Sequence, residues 1–261
     1  MTSPWIASLF AVFIWWFSTG IILLAVRKAD QNGKHLLTVI AALPLLLIGG
    51  WAAVASLQEP SVTGVYLGFL GALAIWGWIE LAFLAGVISG PMKNDCLPGL
   101  QGQARFFRAF GTLAYHELLL VLALLALVLV SSGAPNQMAL ATYMVLFLAR
   151  ILAKLNLFFG VPRINTEFVP AKLTHLKSYF RRGPVTYAFP IAITILTALL
   201  AVCAERLWTA GSDTTLMGFA LLTALAALAL LEHWLMVVPL PDAKLWRWML
   251  PAAKTMTKKE R

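Results

Sequence analysis

Runs of apolar residues dominate the chain, and short polar intervals separate them. A bilayer-spanning helix needs roughly 20 mostly apolar residues. Seven runs meet that length: about 4–26, 36–57, 63–88, 112–132, 138–159, 185–207 and 215–238. Three intervals are short and turn-like: Gln58-Glu59-Pro60-Ser61, Ser132-Gly133-Ala134-Pro135-Asn136 and Gly211-Ser212-Asp213. The other intervals are longer and basic. In hydrocarbon every backbone polar group must be satisfied internally, so such runs are helices. The pattern therefore predicts an all-α polytopic membrane bundle of about seven spans, forming one domain over 1–261. The first run lacks a basic leader and a small-residue cleavage site, so it is expected to be a retained span.

Composition sharpens this picture. The chain is 61% hydrophobic and 12% charged, against about 45–50% and 25% for soluble domains. Its net charge of +9 is distributed unevenly along the sequence. Arg27, Lys28 and Lys34 follow span 1, while Lys93, Arg105 and Arg108 follow span 3. Arg163, Lys172, Lys177, Arg181 and Arg182 follow span 5, and Lys244, Arg247, Lys254, Lys258, Lys259 and Arg261 follow span 7. The opposite side carries Arg206 alone. Basic residues collect in cytoplasmic loops, so the N-terminus is expected outside and the C-terminus in the cytoplasm. That bias accounts for the positive charge and removes nucleic acid as a partner. Cys96 and Cys203 fall at opposite faces, which excludes a disulfide between them and leaves no metal-type spacing.

The cytoplasmic segment 163–184 has the most pattern of any loop. Leu173, Leu176 and Phe180 recur at helical spacing, with Lys172, Lys177, Arg181 and Arg182 on the polar side. This predicts a short interfacial helix, its basic face against anionic headgroups or a docking partner. In the tail 239–261, Leu245, Trp246, Trp248 and Met249 read as a second interfacial anchor.

Candidate chemistry lies inside the spans. Ionisable groups in hydrocarbon are costly and usually face a bundle interior. Glu80, His116, Glu117, Arg150, Lys154, Glu232 and His233 all fall toward the cytoplasmic ends of their spans. Glu80, for example, lies eight residues before the end of span 3, about 12 Å deep at 1.5 Å per residue. The expectation is one buried polar layer built by four helices. Arg150 and Lys154 share a helix face and require anions. The three glutamates exceed these two cations by one charge, and Asn156 is a satellite nearer the interface.

Several readings of this layer stay open. It is a set of structural ion pairs, a proton or small-ligand site, or a pocket where His116 or His233 ligates a tetrapyrrole. A metal site has suitable donors, but no Glu-x-x-His spacing is present. Neighbours in sequence also point about 100° apart on a helix, so His116 with Glu117, or Glu232 with His233, chelate poorly. Small-residue pairs, Gly64/Gly68 and Gly86/Gly90, are candidates for close helix packing. Span 7 has no lysine for a retinal Schiff base. Gly-x-Ser-x-Gly, P-loop and dinucleotide fingerprints are absent, as is an inverted repeat of broken helices.

The stretch Asn156-Leu157-Phe158-Phe159-Gly160-Val161-Pro162 carries a resemblance, together with Asn165, Glu167-Phe168, Leu176-Lys177-Ser178-Tyr179-Phe180-Arg181-Arg182 and Pro184. It is similar to the PuhE family of photosynthetic complex assembly proteins in phototrophic bacteria, and size and span number agree over the whole chain. The resemblance implies a protein of the bacterial inner or intracytoplasmic membrane, N-terminus periplasmic. It implies a role in assembling the reaction centre and core antenna, with influence on pigment supply. Bacteriochlorophyll or a precursor is then the natural ligand, and reaction-centre or antenna subunits and membrane lipids the natural partners. The rival expectation is a membrane enzyme acting on a pigment or lipid-soluble substrate at the Glu/His layer.

Overall fold

The computed structural model describes residues 3–240; the anchor expected at Leu245–Met249 lies outside them. Nine helices form among the described residues: α1 (Pro4–Asn32), α2 (His35–Ala41), α3 (Leu43–Ser56), α4 (Val62–Leu84), α5 (Gly102–Gly111), α6 (Ala114–Ser131), α7 (Met138–Phe159), α8 (Ala188–Trp208) and α9 (Asp213–Leu235). Seven segments are long and apolar enough to cross a membrane, α2 and α3 counting together. They correspond to the seven expected spans. No strand forms among these residues beyond one isolated bridge, Val161 to Arg182.

Local chemistry sets the helix ends. Pro4 opens α1, where its missing N–H costs nothing. Gly33 closes it at φ 67°, a left-handed conformation that glycine adopts without strain. Ser61 and Ser212 cap α4 and α9, accepting from the N–H groups of Gly64 and Thr215 at 3.1 and 3.2 Å. Pro44 splits the second span into α2 and α3, because its ring displaces the carbonyl four residues back and offers no donor.

Helix α4 is the hub. It touches α1, α3, α6, α7 and α9, and 61% of its most apolar stretch is buried, against 17% for α1. Lipid tails are as apolar as leucine, so spans associate by close packing rather than by hydrophobic drive. The α3–α4 contact uses this directly. A Cβ on Gly71 would fall 2.7 Å from the Ala53 nitrogen, and one on Gly49 would fall 2.8 Å from the Ala74 methyl. Gly64 and Gly68 also lie in tight contacts. Gly86 and Gly90 do not pack spans, because α4 ends at Leu84. They shape the loop that follows, Gly86 at φ 72° and Gly90 against the backbone of Gly111 and Thr112.

The two ends of the bundle differ. At one end the turns are short, with Asn136 bonded to the carbonyls of Leu57 and Glu59. At the other, the long segments 85–113 and 160–187 interlock as a cap. Cys96 N–H donates to Ser178 Oγ at 2.8 Å, and the Tyr179 hydroxyl donates to the Asn94 carbonyl at 3.1 Å. Arg105 donates to the carbonyls of Phe158 and Tyr179 at 3.2 and 2.6 Å.

Candidate functional site

Five of the seven expected ionisable residues meet beneath this cap, supplied by α4, α6 and α7. Arg150 Nη2 donates to Glu80 Oε2 at 2.7 Å, and Lys154 Nζ donates to Glu117 Oε1. Between these ion pairs lies His116, fully buried and stacked on Phe83 with ring centroids 4.2 Å apart. Its Nδ1 is 3.3 Å from Lys154 Nζ and 3.5 Å from Glu117 Oε1, and its Nε2 is 3.6 Å from Glu80 Oε1. An ammonium donates only, so the Lys154 contact makes Nδ1 the acceptor and puts the proton on Nε2. That proton faces Glu80 Oε1 just beyond bonding distance, and neither atom has another partner.

The backbone explains how α6 delivers His116 there. The loop after α4 returns so that the Ser89 carbonyl accepts from the N–H groups of Tyr115 and His116 at 3.0 and 3.1 Å, near the start of α6. His116 points between α4 and α7, whereas Glu117 reaches across to Lys154.

Glu232 and His233 do not join this cluster by any hydrogen bond, so the expected single layer is two arrangements. His233 is 1% exposed, with Nδ1 2.8 Å from the Ala229 carbonyl, one turn back. That bond makes Nδ1 the donor and leaves Nε2 without a partner among the described residues. Glu232 keeps an exposed surface and faces a cavity. Asn156 is also separate, bonding back to the Leu152 carbonyl at 3.1 Å.

Two cavities adjoin the cluster, and a third lies beyond Phe168. The central one, about 330 Å³, lies among α1, α4, α7 and α9 and receives Glu80, Arg150 and Glu232 at its wall, with Ser18, Thr19 and Trp76. A second, about 270 Å³, lies under the cap and receives Arg150 and Lys154 among mostly apolar side chains. A third, about 300 Å³, is bounded by Arg27, Asp30 and Glu167. Phe168 borders all three. Neither His116 nor His233 lines any of these three.

Segment 163–184 departs from the expected interfacial helix. It forms two 3₁₀ turns, Thr166–Phe168 and Ala171–Tyr179, the second interrupted at Leu173. Leu173 and Leu176 turn inward onto Phe83, with Leu84, Leu113, Val169 and Phe180 around them. Their spacing reflects burial against the bundle rather than against lipid. Lys172, Lys177, Arg181 and Arg182 remain exposed, Arg182 also donating to the Ile164 carbonyl at 2.9 Å. His175 is buried nearby, and burial holds its imidazole below the ordinary value; Asp95 pulls it up, and Lys93 adds to the lowering.

The amphipathic helix of this end is α5, which the hydropathy reading passed over. It exposes Phe106, Phe107 and Phe110 and buries no residue. Arg105 anchors it, with the guanidinium carbon 4.2 Å from the Phe158 ring centroid. The signal was present as Arg105-Phe106-Phe107-Arg108-Ala109-Phe110, too short and too charged for a span.

The fold and the cluster define a polytopic helical membrane protein with a buried ion-pair network under a loop cap. By sequence the chain belongs to the family described as "Protein of unknown function (DUF3623)", which it matches over residues 1–257. It is 50% identical over 258 residues to the "Uncharacterized 30.4 kDa protein in puhA 5'region" of Rhodobacter capsulatus, covering 97% of this chain and 93% of that protein. Neither match carries the PuhE name. No solved structure matches the chain.

Proposed function

We propose that this protein is an assembly factor for the photosynthetic reaction centre and its core antenna, working in the inner or intracytoplasmic membrane. The observation that carries the reading is the relative encoded in the puhA 5′ region, a location that suggests a photosynthesis gene cluster. The cap fits the role. With the basic end in the cytoplasm, as the loop charges predict, Lys172, Lys177, Arg181 and Arg182 form an exposed docking surface beside anionic headgroups or a partner's cytoplasmic face. The ion pairs Arg150–Glu80 and Lys154–Glu117 then hold α4, α6 and α7 in one register beneath it.

The test is purification of the tagged protein from crosslinked photosynthetic membranes. Reaction-centre or core-antenna polypeptides are the expected companions, and charge reversal of the four basic residues should remove them while the protein stays folded. Recovery of the protein alone after crosslinking overturns the reading.

Bacteriochlorophyll or a precursor is the ligand this role implies. His116 and His233 are both buried, the Nε2 of each lacks a hydrogen-bond partner among the described residues, and neither lines the three cavities above, so pigment ligation at either requires the packed helices to part. A tetrapyrrole absorption band lost in His116→Phe or in His233→Phe supports that ligand, and a colourless preparation from photosynthetic membranes rejects it. A second reading, a membrane enzyme acting on a pigment or lipid-soluble substrate, draws support from Glu232 facing the central cavity. Glu232→Gln breaks no hydrogen bond seen in the structure. Normal pigment–protein levels in that variant eliminate the enzyme reading.

A further inference from the structure

The ion-pair network presents different charges to its two adjoining cavities. The cavity beneath the cap is lined by Arg150 and Lys154 and by no carboxylate. Glu80 and Glu232 line the central cavity instead, and Glu117 lines neither. Arg150 lines both cavities and Lys154 the cap cavity alone, so each ion pair presents its cation, and not its carboxylate, at the wall of the cap cavity. In a low-dielectric site the nearer charge dominates the field there. Both cations also keep donating capacity. Arg150 has five N–H groups, one of them bonded to Glu80, and its side chain retains 33% of its surface. Lys154 has three, one given to Glu117 and one to His116 Nδ1, which leaves one.

The rest of the wall is mostly apolar, with Phe83, Leu113, Leu157, Phe168, Leu173 and Leu176 beside the polar Thr112, Asn165 and Tyr179. Ligand pockets run from about 300 Å³ upward and combine apolar walls with a few convergent polar groups. At about 270 Å³ this cavity is near the lower end of that range. We infer that the cap cavity is a binding site for an amphipathic anion, one with a single carboxylate or phosphate head and an apolar body. The head meets Arg150 and Lys154, and the body lies against Leu113, Leu173 and Leu176. The inference goes beyond the assembly role and does not depend on it.

The experiment is equilibrium binding of radiolabelled dodecanoate, dodecyl phosphate and methyl dodecanoate to the full-length protein in neutral phosphatidylcholine nanodiscs. Either anion should bind saturably and at least about tenfold more tightly than the neutral ester, since a charge-assisted bond is about twice as strong as a neutral one. Preference for dodecanoate points to a lipid-soluble carboxylic acid as the source, and preference for dodecyl phosphate to a lipid headgroup. Lys154→Gln alone strands Glu117, so the cation is removed in the double variant Lys154→Gln/Glu117→Gln, which leaves no charge unpaired. That variant should lose about tenfold or more in anion affinity with unchanged ester binding. Leu176→Trp fills the cavity without touching a charge and should abolish binding of both anions. Equal binding of ester and anions, no saturable anion binding, or full anion binding by Leu176→Trp overturns the inference. The measurement uses purified protein alone, so its failure is distinct from a failure to recover photosynthetic subunits.

Discussion

The two ends of the bundle solve the same packing problem with different chemistry. At the short-turn end, α3, α4 and α7 meet through Gly68, Gly71, Ala53 and Ala139, with backbone and Asn136 bonds closing the turns. At the capped end, the same α4 and α7 meet α6 through two ion pairs and a buried imidazole. Small residues give close approach at little cost, whereas buried ion pairs roughly break even at best and are costly to disrupt. Close glycine and alanine contacts of α4 lie toward the short-turn end, and its buried charges lie toward the capped end. The comparison therefore places the contacts that are costliest to disrupt at the capped end.

Substitutions at the two ends can break or sharpen that contrast. The largest effect is expected at the capped end. Lys154→Met leaves Glu117 buried without its partner and should cost about 3–5 kcal/mol, read as a lower midpoint in denaturant unfolding from detergent. Adding Glu117→Gln should recover most of the loss, and equal instability of the double variant would show that the pair is not the unit. At the other end Gly71→Val places side-chain atoms on the Ala53 backbone and should cost about 1–3 kcal/mol through overpacking. Function measured in membranes should follow that loss of folded protein and no more.

Asn136→Ala comes next. It removes a bond to the Glu59 carbonyl at 3.1 Å and the cap on Met138 N–H at 2.9 Å, for about 1–2 kcal/mol in all. A change beyond that range would mean the turn holds the spans rather than merely ending them. The smallest effect concerns pH. Because burial keeps His175 below its ordinary value of 6.5, protons bind the opened cap more readily than the closed one. Closure is then fully favoured above about pH 6.5 and weakens as pH falls toward the depressed folded value. Amide protection factors in 91–98 and 171–180, taken relative to the intrinsic exchange rate at each pH, should fall over that interval in wild type and stay level in His175→Leu. Exchange confined to the short-turn end would refute this assignment.

Much of the architecture is legible without coordinates, because hydropathy and helix termination are local. The seven spans follow from runs along the chain itself; the break at Pro44, inside a run read as continuous, and the Ser61 and Ser212 caps also rest on residues within a turn or two of the feature. Depth is also local, which is why Glu80, His116, Glu117, Arg150 and Lys154 could be placed toward one end before their contacts were known. Rotation about the helix axis is not local. Whether His233 meets His116 depends on how α9 turns against α4 and α7, and one hydrogen bond to Ala229 takes its ring out of the cluster.

Segment 163–184 shows the same division. Its apolar spacing and its basic residues are written in the sequence, and both readings of that spacing require an apolar surface to cover. The sequence alone determined that Leu173 and Leu176 would be covered and that Lys172, Lys177, Arg181 and Arg182 would stay wet. Only the tertiary structure decided that the cover is Phe83 and Leu113 rather than lipid, and that a cation-lined cavity lies between. The physical reason is that burial is a property of a residue, while the surface that buries it belongs to helices brought together from far along the chain.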